Sequence, residues 1–233
     1  MEQGGSNIPK NHVDFKSHFY FQTPVWVAEA PMFLKKTLKV TDQYIKKAKK
    51  LFKDKQKNEP KWKKELHSFG LSYHSESMSN DPKLKDLVQF VGQRSYEFLD
   101  WSGFNLKDHS LHFTEFWVQE FSEKGGGHHS THSHWNQHVS GFYFLKCSEK
   151  TSFPILHDPR PGAIMTKLPL KNDQQISMGT SMVNYKPQPG TMIIFPGYVP
   201  HEYAVDAGIE PFRFIHWNAK VVETAISKEK SVK

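Results

Sequence analysis

Cysteine is nearly absent: the 233 residues contain one, Cys147. An internal disulfide is thereby excluded, and the usage fits a reducing compartment such as the cytoplasm. No apolar run approaches the ~18 residues of a membrane span. The opening residues, Met1-Glu2-Gln3-Gly4-Gly5-Ser6, have neither the basic nor the apolar region of a secretory signal. Apolar residues are sparse at 37%, but aromatics reach 14%, with 18 Phe, 8 Tyr and 6 Trp. A disordered chain would not carry so many rings, so one packed domain is expected. Acidic residues are scarce only locally. Residues 35–64 hold 13 Lys against Asp42, Asp54 and Glu59, leaving 18 basic and 21 acidic residues elsewhere. The net charge of +7 thus belongs to one segment.

The pattern along the chain divides it in two. Residues 1–20 read as a flexible N-terminus, 21–108 as a helical support region, 109–222 as a β core of the same domain, and 223–233 as a disordered tail. Tyr20–Val27 contains Pro24 and reads as an edge strand. Val40, Tyr44, Ala48, Leu51 and Phe52 recur at helical spacing, with Thr41 as a candidate cap and Lys46, Lys47, Lys50 and Lys53 on the opposite face. A second helix starts at Asp81-Pro82, buries Leu84, Leu87, Val88, Val91, Phe98 and Leu99, and stops near Gly103. From Leu111 onward short strands alternate with Gly/Pro turns: Leu111–Phe121, Val139–Lys146, Phe153–His157, Met182–Tyr185, Thr191–Phe195, Glu202–Val205 and Phe212–Val221. Such spacing predicts an antiparallel sandwich or barrel.

Histidine is concentrated, with five of 14 between residues 128 and 138. His132 and His134 are two apart, so on an extended chain both rings face one side and can take adjacent corners of a metal's coordination sphere. His201, after the apolar run Met192-Ile193-Ile194-Phe195 and a Pro/Gly turn, is the candidate third ligand. Asp206–Glu210 reads as the turn of a hairpin that places Arg213 on the face of His201. Arg213 would then hold the far end of a short dicarboxylate bound to the metal. Each residue has a plainer reading. The histidines could be solvated loop residues, and Cys147 could simply pack. The lysine face could be solvated, or could steer an acidic or nucleic-acid partner, which is not favoured because few aromatics interleave with it.

His132-x-His134, the Ser140-Gly141 six residues later and the aromatic strand ending in Leu145 resemble the 2-oxoglutarate/Fe(II)-dependent oxygenases related to prolyl hydroxylases. So do Pro189-Gly190-Thr191-Met192-Ile193-Ile194-Phe195-Pro196 with His201 and Arg213, Asp158-Pro159-Arg160, and Thr23-Pro24-Val25. Such proteins are common in marine bacteria and their phages. The resemblance implies a double-stranded β-helix (jelly roll) preceded by a helical half, with Fe(II) as cofactor and 2-oxoglutarate as cosubstrate. It implies an O2-dependent hydroxylation that releases succinate and CO2, on a peptidyl side chain such as proline, in the cytoplasm (the host's, if phage-encoded). His132 and His201 take the places of the iron-binding histidines. His134 stands where the superfamily usually has a carboxylate, and either it or Asp158 could complete the site. Arg213 maps to the residue that pairs with the distal carboxylate of 2-oxoglutarate, and Tyr143 is a further donor to it. A cupin-like metal enzyme that does not use 2-oxoglutarate, and a non-enzymatic basic binding module, are the alternatives.

Overall fold

A computed structural model describes residues 16–58, 71–165 and 168–224. The expected N-terminal and C-terminal tails and the end of the lysine segment lie largely outside those residues. The first helix, α1 (Leu34–Asn58), begins earlier than the sequence suggested, because the 3-10 turn Pro31–Phe33 runs straight into it. Thr41 is therefore not its cap but a buried interior residue whose hydroxyl donates to the Leu38 carbonyl. At the second helix the Asp81 carboxylate accepts from the Lys83 amide, Pro82 opens a 3-10 turn, and α2 (Lys85–Trp101) follows. Gly103 adopts φ +94, a left-handed conformation suited to glycine at a helix end.

Two antiparallel sheets face each other. The larger one has the order β1 (Trp26–Glu29), β8 (Thr191–Pro196), β5 (Val139–Lys146), β10 (Arg213–Glu223), β3 (His109–Phe121) and β2 (Ser72–His74). The smaller one has the order β4 (His129–His132), β9 (His201–Tyr203), β6 (Pro154–His157) and β7 (Met182–Asn184). A short helix, α3 (Pro161–Met165), lies between β6 and β7. The antiparallel sandwich and the edge position of the first strand agree with the sequence reading, although β1 starts at Trp26 rather than Tyr20.

Strand alternation builds two cores. On β10, Ile215, Trp217 and Ala219 point away from the small sheet and pack with Tyr143, Phe116, Val118, Val91 and Phe98 under the helices. Phe212 and Phe214 point the other way and pack with Phe121, Phe142, Phe144, Phe195 and Tyr203 between the sheets. Because the large sheet is covered on both faces, its central strands read as unbroken hydrophobic runs rather than alternating ones. The Trp217 indole donates to Ser95 on α2 at 3.2 Å, which ties helix to sheet.

The expected hairpin between His201 and Arg213 does not form. β9 pairs with β4 and β6, whereas β10 pairs with β3 and β5, so the residues between them cross from one sheet to the other. Buried Asp206 holds this crossing, its carboxylate accepting from the Ser152 amide at 2.7 Å and the Gly208 amide at 2.8 Å.

Candidate metal centre

β4 and β9 lie side by side, with His132 directly opposite His201. His134 follows in the loop after β4, where its amide donates to the Gly197 carbonyl at 2.9 Å. The three rings converge, with centroids 4.5 Å apart for His132–His201 and 5.1 Å apart for both pairs involving His134. One nitrogen from each lies within 4.8 Å of the others, close enough to share a metal ion.

Backbone carbonyls set two of the tautomers. His132 Nδ1 lies 2.7 Å from the Ser130 carbonyl, and His201 Nδ1 lies 3.0 Å from that of Val199. A carbonyl only accepts, so both Nδ1 atoms carry the hydrogen and both Nε2 lone pairs are free for a metal. Burial pushes the His201 imidazolium pKa down to about 2 and, with repulsion from His216 and His132, that of His134 to about 3. Both rings are therefore neutral at pH 7, the form that ligates.

The third ring is held differently. The Asn218 amide nitrogen is 2.9 Å from His134 Nδ1 and 2.7 Å from Glu115 Oε2, and donates one hydrogen to each. His134 then carries its own hydrogen on Nε2, a buried atom without a partner. Coordination through Nε2 needs the other tautomer, which a half-turn of the Asn218 amide would favour by presenting Oδ1, also buried and unpartnered. His216, fully buried, lies with its ring tilted 4.9 Å from that of His134, and its Nε2 is 3.5 Å from the Glu115 carboxylate. Its pKa is lowered by burial, and its proximity, with the Asn218 amide, holds the Glu115 carboxylate down at about 2. Glu115, His134 and His216 form a second trio of potential ligand atoms that shares His134 with the first.

The remaining sequence-predicted residues lie elsewhere. Arg213 faces α1, not the histidines. Its guanidinium donates to Glu120 at 2.7 Å through Nε, in a buried ion pair, and to the exposed Asp42 at 2.6 Å. The reason is parity: His216 points inward on β10, so Arg213, an odd number of residues away, points outward. Tyr143 is outward for the same reason, and its hydroxyl donates to the Ala30 carbonyl at 2.7 Å. The anchoring roles expected of Arg213 and Tyr143 are thus corrected. Asp158 is also outside the cluster, because Arg160 occupies both of its carboxylate oxygens at 2.9 and 2.7 Å. His128 bonds to the Gly126 carbonyl, His129 to Gln119 at 2.8 Å, and His138 accepts from the Val221 amide. Cys147 packs beside the inter-sheet core, its thiol pKa pushed up to about 12 by burial.

Sequence reading missed Glu115, Trp117 and Gln119 as inward residues of β3. Their alternation within Leu111–Phe121 was visible, but which parity faces the histidine cluster depends on the partner strands.

The two sheets form a jelly-roll sandwich in which His132, His134 and His201 are clustered closely enough to hold a metal ion. Residues 115–211, which contain the whole trio, match the family model described as "Putative 2OG-Fe(II) oxygenase", so over this stretch the chain carries that family's pattern. The family's cofactor is Fe(II) and its cosubstrate 2-oxoglutarate. A Pseudomonas putida prolyl-4-hydroxylase is 12% identical, with 84% of this chain and 92% of that one covered and a TM-score of 0.46. AviO1 from Streptomyces viridochromogenes is 12% identical, with coverage of 64% and 66% and a TM-score of 0.46. An oxidoreductase of the 2OG-Fe(II) oxygenase family from Burkholderia pseudomallei is 12% identical, with coverage of 64% and 68% and a TM-score of 0.44. No curated protein matches. Among the described residues, no helix is long and apolar enough to cross a membrane.

Proposed function

We propose that this protein is a non-haem Fe(II), 2-oxoglutarate-dependent dioxygenase in which His132, His134 and His201 hold the iron. The observation that carries the reading is the pair of backbone-locked histidines, His132 and His201, offering Nε2 lone pairs from adjacent strands, with the unpartnered Nε2 of His134 beside them. Three neutral imidazoles suit Fe(II), and they leave positions for other ligands. Bound there, iron and 2-oxoglutarate supply oxidising power from O2, with succinate and CO2 as by-products. The chain's own contribution is to orient the imidazoles, to keep His134 and His201 unprotonated by burial, and to exclude water on the inner side with Phe142 and Phe195, whose rings lie 5.5 and 5.1 Å from His201.

The substrate we propose is a peptidyl side chain such as proline. Trp135, next to His134, and Tyr198, three residues before His201, are exposed. A groove of about 860 Å³ beside the 196–198 turn is lined by Phe21, Trp101, Phe104 and Tyr198. Exposed rings of this kind cradle proline-containing extended peptides.

Fe(II) and 2-oxoglutarate added without O2 should produce a metal-to-ligand absorption band, and admitting O2 should yield succinate. Both signals should vanish in His201→Ala, and a peptide library should reveal the hydroxylated residue. One observation favours a metal enzyme that does not use 2-oxoglutarate, namely the outward placement of Arg213. Turnover without succinate would decide for it.

A further inference from the structure

Buried polar groups without partners collect at one place on the inner face of the large sheet. His216 on β10 is buried, and neither of its ring nitrogens has a hydrogen-bond partner. Asn218 Oδ1, Ser140 Oγ and His134 Nε2 are buried and unpartnered as well. Asn218 stands opposite Ser140 on β5 and opposite Glu115 on β3. The other polar residues of this face are accounted for differently. Gln119 and His129 bond each other at 2.8 Å. The Tyr203 hydroxyl, also without a partner, is enclosed by packed phenyl rings. Unpaired buried polar groups are costly, and an ion that several of them coordinate removes the cost.

Glu115 brings the charge such an ion needs. Glu115, His134 and His216 each place one ligand atom within 4.8 Å of the others. The Glu115 carboxylate lies 3.5 Å from His216 Nε2. Two donors bound to one ion at about 2.1 Å and a tetrahedral angle are about 3.4 Å apart. The carboxylate stays ionised at neutral pH, and it is the exposed member of the set, which leaves a way in from solvent. Two imidazoles and a carboxylate suit Fe(II) and Mn(II). The carboxylate also offsets half the charge of a dication, which three neutral histidines do not.

We infer that Glu115, His134 and His216 form a second divalent-metal site, which competes with His132 and His201 for the His134 ring. A neutral imidazole has one lone pair. His134 therefore serves one ion at a time, and the protein holds a single ion in one of two places. The inference goes beyond the dioxygenase reading, because it concerns the bare ion and needs no oxo acid.

The test titrates the full-length, metal-free protein with Co(II) alone, reading the visible ligand-field bands and the heat of binding, with circular dichroism as the check on folding. Wild type should take up one ion per chain. The double variant His132→Ala/His201→Ala leaves the trio one histidine and should still take up one ion, with altered bands. Adding Glu115→Gln, an exposed and nearly isosteric change, should weaken that uptake by about a hundred-fold, the upper end of what a residue supporting a metal site is worth. Because both sites need the shared ring, His134→Ala should cost more affinity than His201→Ala. A folded double variant that takes up no Co(II) overturns the assignment, as does one whose uptake is indifferent to Glu115→Gln. Two ions per wild-type chain overturn the sharing of His134. A protein that meets these expectations with Co(II) but gives no absorption band with Fe(II) and 2-oxoglutarate overturns the dioxygenase reading and leaves this site standing, which distinguishes the two failures.

Discussion

Single side chains in this protein act through where their hydrogens are held. The carbonyls of Ser130 and Val199 fix the tautomers of His132 and His201 and leave each Nε2 lone pair free, as a second hydrogen bond does for histidines that ligate a metal. His134 lacks that help and depends on Asn218. Packing constraints are equally local. Gly141 lies under the Trp217 ring, where an added Cβ would come within 2.2 Å of the indole and 2.6 Å of the Ile193 carbonyl. Neither the indole, bonded to Ser95, nor the backbone can yield easily. Gly141→Ala should therefore lower stability by about 2 kcal/mol or more, the range for overpacking a core, seen as a fall in the unfolding midpoint in urea. An unchanged midpoint would mean that the Trp217 layer is looser than it looks.

At the scale of elements, the contact of α1 with the large sheet is the most instructive. Burial by itself would raise the Glu120 pKa, but Lys49 and Arg213 outweigh it and hold the carboxylate below its ordinary value. Arg213, Glu120 and Asp42 thus clamp the helix to β3 and β10. Removing one member of a buried ionic cluster leaves the other charge uncompensated, although Lys49 stays bonded to Glu120 at 2.6 Å. Arg213→Met should cost about 3 kcal/mol, measured by chemical unfolding, with the His132, His134 and His201 cluster untouched. Ion pairs account for part of the basic face: Lys49 joins the clamp at Glu120, and Lys36 and Lys47 are paired with Asp86 and Glu76. Helix amphipathicity was legible from the spacing of Val40, Tyr44 and Ala48. The length of α1 was not, because its start is decided by the preceding Pro31 turn docking on Gly190, whose carbonyl accepts from the Ala30 amide.

For the molecule as a whole, the histidine-rich interior makes stability depend on pH. In an unfolded chain a histidine titrates near 6.5, whereas burial holds His129 and His134 at about 3 and His201 at about 2. Below pH 6.5 the unfolded state gains protons that the folded state refuses, so the stability present above pH 6.5 is lost progressively as pH falls toward 3. The depressed carboxylate of Glu115 adds a loss of the same sign below its ordinary range. The metal-free protein should show a melting temperature that is level from pH 7 to 8 and declines steadily below 6.5. A melting temperature that holds to pH 4.5 would contradict the burial of these rings.

Some of this was written in the chain alone. Turn residues at regular intervals and short aromatic strands are local signals, so the sandwich could be read directly, and so could the convergence of His132, His134 and His201, which depends on motif spacing. What faces what was decided only in three dimensions. Strand alternation reveals that Arg213 and His216 oppose each other, but not which of them looks at the clustered histidines. That follows from residues 204–212 changing sheets rather than turning back, a choice made by buried Asp206 and by the demand that Phe212 and Phe214 enter the inter-sheet core. A single step in register sends every side chain of a strand to its other face, so no amount of motif matching could have placed that guanidinium, whereas the assembled sheets leave it no alternative.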